Sequence, residues 1–349
     1  MPDAAMTLVR QSIIAVIVAA SAPALAISQR TFVSGQGSDV AACSITAPCR
    51  SFAAAIAQTI AGGEVIVLDS AGYGPVVITQ SVTITAPPGV YAGISVPAAT
   101  PKGVSINAPS ITVLLRGLSL NSTGGGYGIY QSVGGTLTIE RCRISGFPAA
   151  GIVQTAGVMT VRETVITDGG PGTGVYVFGG SATIDGVSIE RMNTGVEVFG
   201  KLAMRATTIS DMVVGMNVLS GAAVALDGVT ISKSLASGSG ITLANYSAGT
   251  SINLQMVRSQ IVNSGFAIYA VGVAASNCNV HVTDSLISNN VGAGVTTLGT
   301  ALAVVSGSTV VNNSIGLDSS NDNIYSLQNN QVFLNTINTN GLVLSVPYK

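Results

Sequence analysis

From about residue 111 onward, the sequence repeats one short plan in units of roughly 20 to 30 residues. In each unit a segment of alternating apolar and polar residues, such as TVRETVIT at 160–167, runs into a turn. A second segment that begins with glycine follows, such as GVYV at 174 or GVEV at 195. These segments are too short to be helices, and a single unit cannot bury its apolar face alone. Successive units must therefore stack, which predicts a solenoid of parallel strands.

An inward column of apolar residues sets the register of the predicted stack. Its members are Leu120, Ile144, Ile166, Ile189, Ile209, Ile231, Ile261, Ile287 and Val310. Four positions earlier, an outward column alternates in charge: Arg116, Glu140, Arg162, Asp185, Arg205 and Asp227. Two positions after the reference residue, a second column reads Asp168, Arg191, Asp211, Lys233, Asn263, Asn289 and Asn312. We expect opposite charges to meet on strands about 4.8 Å apart, and the three asparagines to form a ladder of amides along a turn.

The first 26 residues have the pattern of a secretory signal peptide. Arg10 supplies the positive charge, residues 13–20 the apolar segment, and Ala24-Leu25-Ala26 the small-residue cleavage site. No later run of eighteen apolar residues occurs, so we predict no membrane span in the mature chain. We therefore expect the chain to be exported, to the periplasm or the extracellular space.

The segment after the signal peptide has features of its own. Cys43 and Cys49 enclose a short loop, and export favours a disulfide between them. In residues 50–61, apolar residues recur every four positions up to the pair Gly62-Gly63, which predicts a helix that caps the N-terminal end. The predicted organisation is a signal peptide at 1–26, an N-terminal segment at 27–63, solenoid coils at 64–340 and a C-terminal cap at 341–349.

Composition excludes several classes of function. Only 8% of the residues are charged, the net charge is -1, and the 14 lysines and arginines are scattered along the chain. A nucleic-acid-binding protein needs a concentrated basic surface, so DNA and RNA are excluded as partners. No cofactor is predicted.

The segment TFVSGQGSDVAACSITAPCRSFAAAIAQTIAGGEVIVLDSAGYGPVVIT at 31–79, followed by these coils, resembles the opening of exported bacterial right-handed β-helix repeat proteins with the pectin-lyase-like fold. The resemblance implies an all-β fold, a single-stranded right-handed parallel β-helix with an N-terminal capping helix. Better-known proteins of this fold are polysaccharide lyases and glycoside hydrolases, but a fold alone does not carry function across.

The chemistry of those enzymes has no counterpart in this sequence. The NTD, DD, GHG and RIK motifs of polygalacturonase-like proteins do not occur around the glycine-led strands. The carboxylates alternate with basic residues instead of clustering as calcium ligands. The single histidine, His281, lies in an outward column and is interpreted as a surface residue. We therefore predict no catalytic and no metal-binding residue.

If a binding site exists, we expect it on the outer face of the glycine-led strands. Tyr176, Glu197 and Asn217 occupy one position on three consecutive strands, and Phe178 and Phe199 follow two residues along. Aromatic faces beside a carboxylate and an amide can hold a sugar by stacking and hydrogen bonds. The alternative interpretation is that these side chains only pack against one another.

Three functional hypotheses remain. The first is an exported non-catalytic β-helix protein, structural, adhesive or carbohydrate-binding at the cell surface, with a polysaccharide or cell-surface glycan as partner. The second is a polysaccharide lyase or glycoside hydrolase with an atypical site on the outer face of the glycine-led strands. The third is binding of a flat lattice such as ice through the column Thr138, Thr160, Thr183.

Overall fold

The computed structural model describes residues 27–235, 237–273, 275–319 and 323–347. Their strands coil into a right-handed parallel β-helix of about 12 turns. A typical turn contributes one strand to each of three sheets, named A, B and C in the order in which the chain visits them. This confirms the predicted fold class, whereas the predicted signal peptide at 1–26 lies outside the described residues.

Neighbouring strands within each sheet pair in parallel. Sheet A contains 14 described strands: Ser28–Val33, Thr59–Val67, Val82–Thr85, Ile111–Arg116, Gly135–Glu140, Val158–Arg162, Ser181–Asp185, Lys201–Arg205, Ala223–Asp227, Ser251–Val257, Asn277–Thr283, Ala301–Ser306, Ile324–Leu327 and Val343–Val346. Sheet B contains 12: Ala71–Gly72, Ala92–Pro97, Leu118–Thr123, Arg143–Ser145, Val165–Thr167, Ser188–Glu190, Thr208–Ser210, Thr230–Ser232, Gln260–Val262, Leu286–Ser288, Thr309–Val311 and Gln331–Phe333. Sheet C also contains 12: Val76–Ile78, Lys102–Ile106, Tyr127–Gln131, Ala150–Gln154, Thr173–Val177, Thr194–Val198, Val214–Leu219, Ser239–Asn245, Phe266–Gly272, Ala293–Gly299, Ile315–Ser319 and Ile337–Asn340.

The inward column of sheet B has the register expected from the repeat. Its nine members are successive Cα partners, and each is almost completely buried. Side-chain alternation with a period of two therefore determines which face of each strand is buried.

The free cysteines Cys142 and Cys278 also lie in the core. Burial raises the pKa of the Cys142 thiol to about 11 and that of the Cys278 thiol to about 12.

The turn from sheet A to sheet B contains a ladder of side-chain hydroxyls that sequence reasoning missed. The Ser259 hydroxyl accepts a hydrogen bond from the backbone N–H of Val229 at 3.0 Å and donates to the carbonyl of Val257 at 2.8 Å. Ser285 and Ser308 repeat this arrangement on the following turns. A signal was present in the sequence, because Thr or Ser stands two positions before the inward apolar column in five of its nine coils: Thr164, Thr207, Ser259, Ser285 and Ser308.

The helix at the N-terminal end spans Phe52–Ala57, and is shorter than the predicted segment 50–61. The side chain of Ser51 caps its start by accepting a hydrogen bond from the N–H of Ala54. The last predicted helical residues instead open the strand Thr59–Val67, which pairs in parallel with Ser28–Val33. Strand pairing satisfies the backbone groups there, so the helix ends early. Its capping role stays a prediction.

The parallel sheet also extends beyond the predicted coil range of 64–340. The strand Ser28–Val33 joins sheet A before the helix, and a disulfide links Cys43 to Cys49 in the loop that follows. At the other end, Val343–Val346 pairs in parallel with Ile324–Leu327, inside the segment 341–349 that was predicted as the C-terminal cap. Val343 packs against the core, which explains why the strand continues. No helix within the described ranges is long and apolar enough to cross a membrane.

Asp69 anchors the chain between the first turns of the solenoid. Its carboxylate accepts hydrogen bonds from the Ser34 hydroxyl at 2.6 Å, the Gly35 N–H at 2.7 Å and the Tyr73 hydroxyl at 2.6 Å. These hydrogen bonds, that from Ser34 first, lower the pKa of Asp69 because they stabilise its ionised form. The carboxylate therefore contributes stability that depends on pH.

Replacing Asp69 with asparagine is expected to lower the urea midpoint at pH 7, and the deficit is expected to shrink in acid. Because the folded-state pKa lies below the unfolded value of about 4, the stabilisation is complete above that pH and is lost as pH falls through the folded pKa. Urea titrations between pH 2.5 and pH 7 measure the deficit, with Glu163→Gln, a change at an exposed carboxylate, as the control. A deficit that stays constant over this range would contradict the ionic origin.

Candidate functional site

The outer face of sheet C carries the predicted site, and its residues are in the expected register. Tyr176 is the Cα partner of Glu197, and Glu197 is the partner of Asn217. The same column continues in both directions along the solenoid, through Tyr130, Val153, Thr242, Tyr269, Thr296 and Asp318. Because neighbouring strands are about 4.8 Å apart, Tyr176, Glu197 and Asn217 form one continuous surface.

Three aromatic rings cluster on this surface. The rings of Tyr176 and Phe178 are nearly parallel, with centroids 6.1 Å apart, and the centroids of Phe178 and Phe199 are 5.4 Å apart. Tyr176 and Phe199 meet edge to face at 6.1 Å. Phe178 remains 54% exposed, although it contacts both other rings. We call Tyr176, Phe178 and Phe199 the aromatic platform; its rings support one another and still present surface to solvent.

Glu197 lies beside the platform without a partner of its own. Its side chain is half-buried, and among the described residues no hydrogen bond or ion pair engages its carboxylate. Desolvation raises the pKa of Glu197 above its usual value. The pKa of the Tyr176 hydroxyl is also raised, first by burial and then by the negative charge of Glu197. The site thus combines aromatic surface with an uncompensated, partly desolvated carboxylate.

The surface extends toward the N-terminal end through residues that were not predicted as part of the site. The ammonium group of Lys102 lies 3.7 Å from the ring centroid of Tyr130 in a cation–π contact. Tyr127 meets the same ring edge to face, with centroids 5.3 Å apart. Only the tertiary structure shows the lysine contact, because Lys102 belongs to the preceding strand of sheet C, Lys102–Ile106.

The first charged column is in register but only partly paired. Arg116 donates to the carboxylate of Glu140 at 2.8 Å, and Arg162 approaches the same carboxylate at 3.8 Å. Asp227 binds Arg258 at 2.6 Å instead of its Cα partner in the column. Between the remaining neighbours of this column, no ion pair within 4.0 Å forms in the described part of the chain. Exposed ion pairs of this kind contribute little to stability, so they help to define register more than strength.

The second column includes one strong ion pair, between Asp168 and Arg191 at 2.6 Å. The hydrogen bond from Arg191 is the main cause that lowers the pKa of Asp168. Lys233 lies 3.9 Å from Asp211. These residues have positive φ angles, because they form the bend between sheets B and C.

The predicted asparagine ladder is displaced by one residue. The three predicted members are exposed and have positive φ: Asn263, Asn289 and Asn312. The ladder runs instead through the buried Asn290 and Asn313 and the half-buried Asn335, whose amides bond one another at 2.8 and 3.0 Å. Each also accepts the N–H of the corresponding residue one turn earlier, as Asn313 does from Asn290. The left-handed residue turns the chain, so the side chain directed into the turn is that of the next residue.

His281 is an exposed residue on sheet A, with Gln255 and Val304 as its Cα partners. Asp284, three residues later, lies beyond the end of that strand. Within the described ranges, no group of three or more histidine, cysteine or acidic side chains is placed to hold a metal ion.

Comparison with known families identifies the architecture. A model of the family described as "Right handed beta helix region" matches residues 102–253 and, in a second alignment, 154–315. Together the two matches cover more than half of the chain. The chain belongs to this β-helix family. Among curated proteins, none has significant sequence similarity to it.

Several solved structures of low sequence identity align with most of this β-helix protein. Pectate lyase Pel9A is 15% identical, with a TM-score of 0.53 over 89% of this chain and 78% of the lyase. The Streptococcus pneumoniae surface protein and adhesin PfbA is 12% identical, with a TM-score of 0.47 over 84% of this chain and 94% of PfbA. An alginate lyase from Paenibacillus sp. str. FPU-7 is 15% identical, with a TM-score of 0.40 over 91% of this chain and 100% of the lyase. The likeness to Pel9A shows a shared fold.

Proposed function

We propose that this chain is an exported, non-catalytic β-helix protein that binds a glycan through the aromatic platform. The observation that carries the proposal is the arrangement of Tyr176, Phe178 and Phe199 beside Glu197 and Asn217. Sugars present apolar C–H faces and a rim of hydroxyls, so a ring surface next to a carboxylate and an amide matches both parts. Rings that already support one another lose little conformational freedom when a ligand binds.

Export is part of the proposal. It is supported by the signal-peptide pattern at 1–26 and by the disulfide between Cys43 and Cys49, since disulfides persist mainly in oxidising compartments.

The position of the carboxylates favours binding over hydrolysis. Asp318 is the other acidic residue in the column of Glu197, and the two are separated by five strand intervals. At about 4.8 Å per interval this is roughly 24 Å, whereas the carboxyl pairs of glycosidases are about 5 to 9.5 Å apart. A hydrolytic mechanism would need a second group from outside this column.

The double substitution Tyr176→Ala/Phe178→Ala is expected to weaken glycan binding about tenfold or more, because each aromatic contact contributes roughly 0.5–1.5 kcal/mol. A glycan array first identifies a ligand for residues 27–349, and titration calorimetry then compares the variants. Tyr91→Ala is the matched control, because Tyr91 is 51% exposed and lies away from sheet C. Urea midpoints confirm that each variant folds.

Two outcomes would contradict the proposal. Binding that survives the double substitution unchanged would remove the platform as the site. Release of new reducing or unsaturated sugar ends by the wild type, abolished in Glu197→Ala, would establish the alternative of a polysaccharide-active enzyme.

A further inference from the structure

Glu197 has no basic residue opposite it on either neighbouring strand of sheet C. The carboxylates of Glu140, Asp168, Asp211 and Asp227 each face an arginine or lysine within 4.0 Å. Glu197 has no such cation among the described residues, although its side chain is half-buried. A partly desolvated charge is costly unless it is paired. The surface therefore favours a ligand that supplies a positive charge at this point.

The aromatic rings around Glu197 also favour a positively charged ligand. Tyr176 is the residue opposite Glu197 on the preceding strand, and Phe199 lies two residues after Glu197, directly beyond the end of the strand Thr194–Val198. The two rings meet edge to face, with their planes inclined at 67°. Aromatic faces attract ammonium groups, and attract them more strongly where water is partly excluded. The carboxylate and the rings together make a site suited to a ligand that carries an ammonium group next to an apolar surface.

The nearest lysine on this face does not neutralise the carboxylate. Lys102 contacts the ring of Tyr130, which precedes Glu197 by three strand intervals in the column, or roughly 14 Å at about 4.8 Å each. This distance exceeds the Debye length in physiological salt, about 8 Å. A uronic acid polymer would thus place a second negative charge near that of Glu197, and Lys102 is too far away to neutralise either charge.

We propose that Glu197 makes the platform selective for glycans with protonated amino groups, that is, polymers of unacetylated amino sugar, and against uronic acid polymers. This inference rests on the proposed glycan-binding function and specifies the ligand class of the same site. The sugar ring packs on Tyr176 and Phe178, its ammonium group meets Glu197 and Phe199, and its hydroxyls reach the amide of Asn217.

Titration calorimetry with three hexamers of matched length tests the selectivity: β-1,4-linked glucosamine, its fully N-acetylated form, and galacturonate. At pH 6 and physiological salt, the wild type is expected to bind the glucosamine hexamer about tenfold more tightly than the acetylated form, and the galacturonate hexamer most weakly. In Glu197→Gln, the affinity for the glucosamine hexamer falls about tenfold and the ratio of the first two affinities approaches one. Glu163→Gln, at an exposed carboxylate on another turn, keeps the wild-type ratio.

The outcomes separate this inference from the function on which it rests. Equal affinities of the wild type for glucosamine and acetylated hexamers, both lost in Tyr176→Ala/Phe178→Ala, would overturn the charge selectivity and leave glycan binding in place. An equal loss in Glu163→Gln and Glu197→Gln would overturn the role of Glu197 and indicate a general effect of net charge. Failure of the wild type to bind any hexamer or arrayed glycan would overturn both proposals.

Discussion

Replacing Asn313 with alanine is expected to lower the free energy of unfolding by about 3 to 5 kcal/mol. Asn313 is only 3% exposed, and its side chain joins three consecutive turns. It accepts hydrogen bonds from the backbone and side-chain nitrogens of Asn290, and donates to the carbonyl of Ile287 and to the amide oxygen of Asn335. Removal leaves several buried polar groups without partners, and each costs roughly 1–3 kcal/mol.

Asn312→Ala is the matched control, because it removes the neighbouring amide from an exposed position. That substitution is expected to cost about 1 kcal/mol, since alanine tolerates the φ of +56° less well than asparagine. Urea denaturation followed by circular dichroism gives both values. Equal losses in the two variants would contradict the assignment of the ladder to Asn290, Asn313 and Asn335.

Gly195→Ala is expected to lower the free energy of unfolding by about 3 kcal/mol through steric overlap alone. A Cβ atom at this position would lie 2.5 Å from the backbone oxygen of Gly215 and 2.6 Å from a methyl carbon of Ile209. The oxygen belongs to the next strand of sheet C and cannot move without disturbing the pairing of Thr194–Val198 with Val214–Leu219. The methyl group belongs to the buried core column of sheet B.

The control for this prediction is Gly134→Ala, where an added Cβ would meet no atom within 4 Å. This variant is expected to fold with nearly wild-type stability, because nothing obstructs the methyl group and alanine restricts the unfolded chain. Thermal and urea unfolding of the two variants side by side measure the difference. A Gly195→Ala protein as stable as Gly134→Ala would show that the backbone has room to shift.

The same glycine illustrates how far sequence reasoning reached. Gly195 and its equivalents hold the second position in nine of the 12 described strands of sheet C, and this recurrence is visible in the sequence. The reason for glycine is not, because the obstructing atoms come from Gly215 and Ile209, which are 20 and 14 positions away. The repeat shows where a small residue is needed, and packing shows why.

Side-chain interactions across turns were harder to predict. The register placed Asp227 beside Arg205, yet its carboxylate binds Arg258 in the turn after the next strand of sheet A. Long exposed side chains have many conformations of similar energy, so register alone does not determine their partners. The aromatic platform was easier to predict. Rings two residues apart along one strand, or at equivalent positions on neighbouring strands, come close wherever the backbone register holds.

The amino-acid sequence by itself determined the coil period, the buried face of each strand and the column that holds Tyr176, Glu197 and Asn217. These properties follow from alternation with a period of two and from the need to bury apolar surface, and both are local. Only the tertiary structure decided which of Asn312 and Asn313 points into the core and where the N-terminal helix ends. It also showed that, among the residues it describes, no cation lies beside Glu197. Those outcomes depend on a single left-handed residue, on strand pairing with Ser28–Val33 and on the distances between turns, which no local pattern encodes.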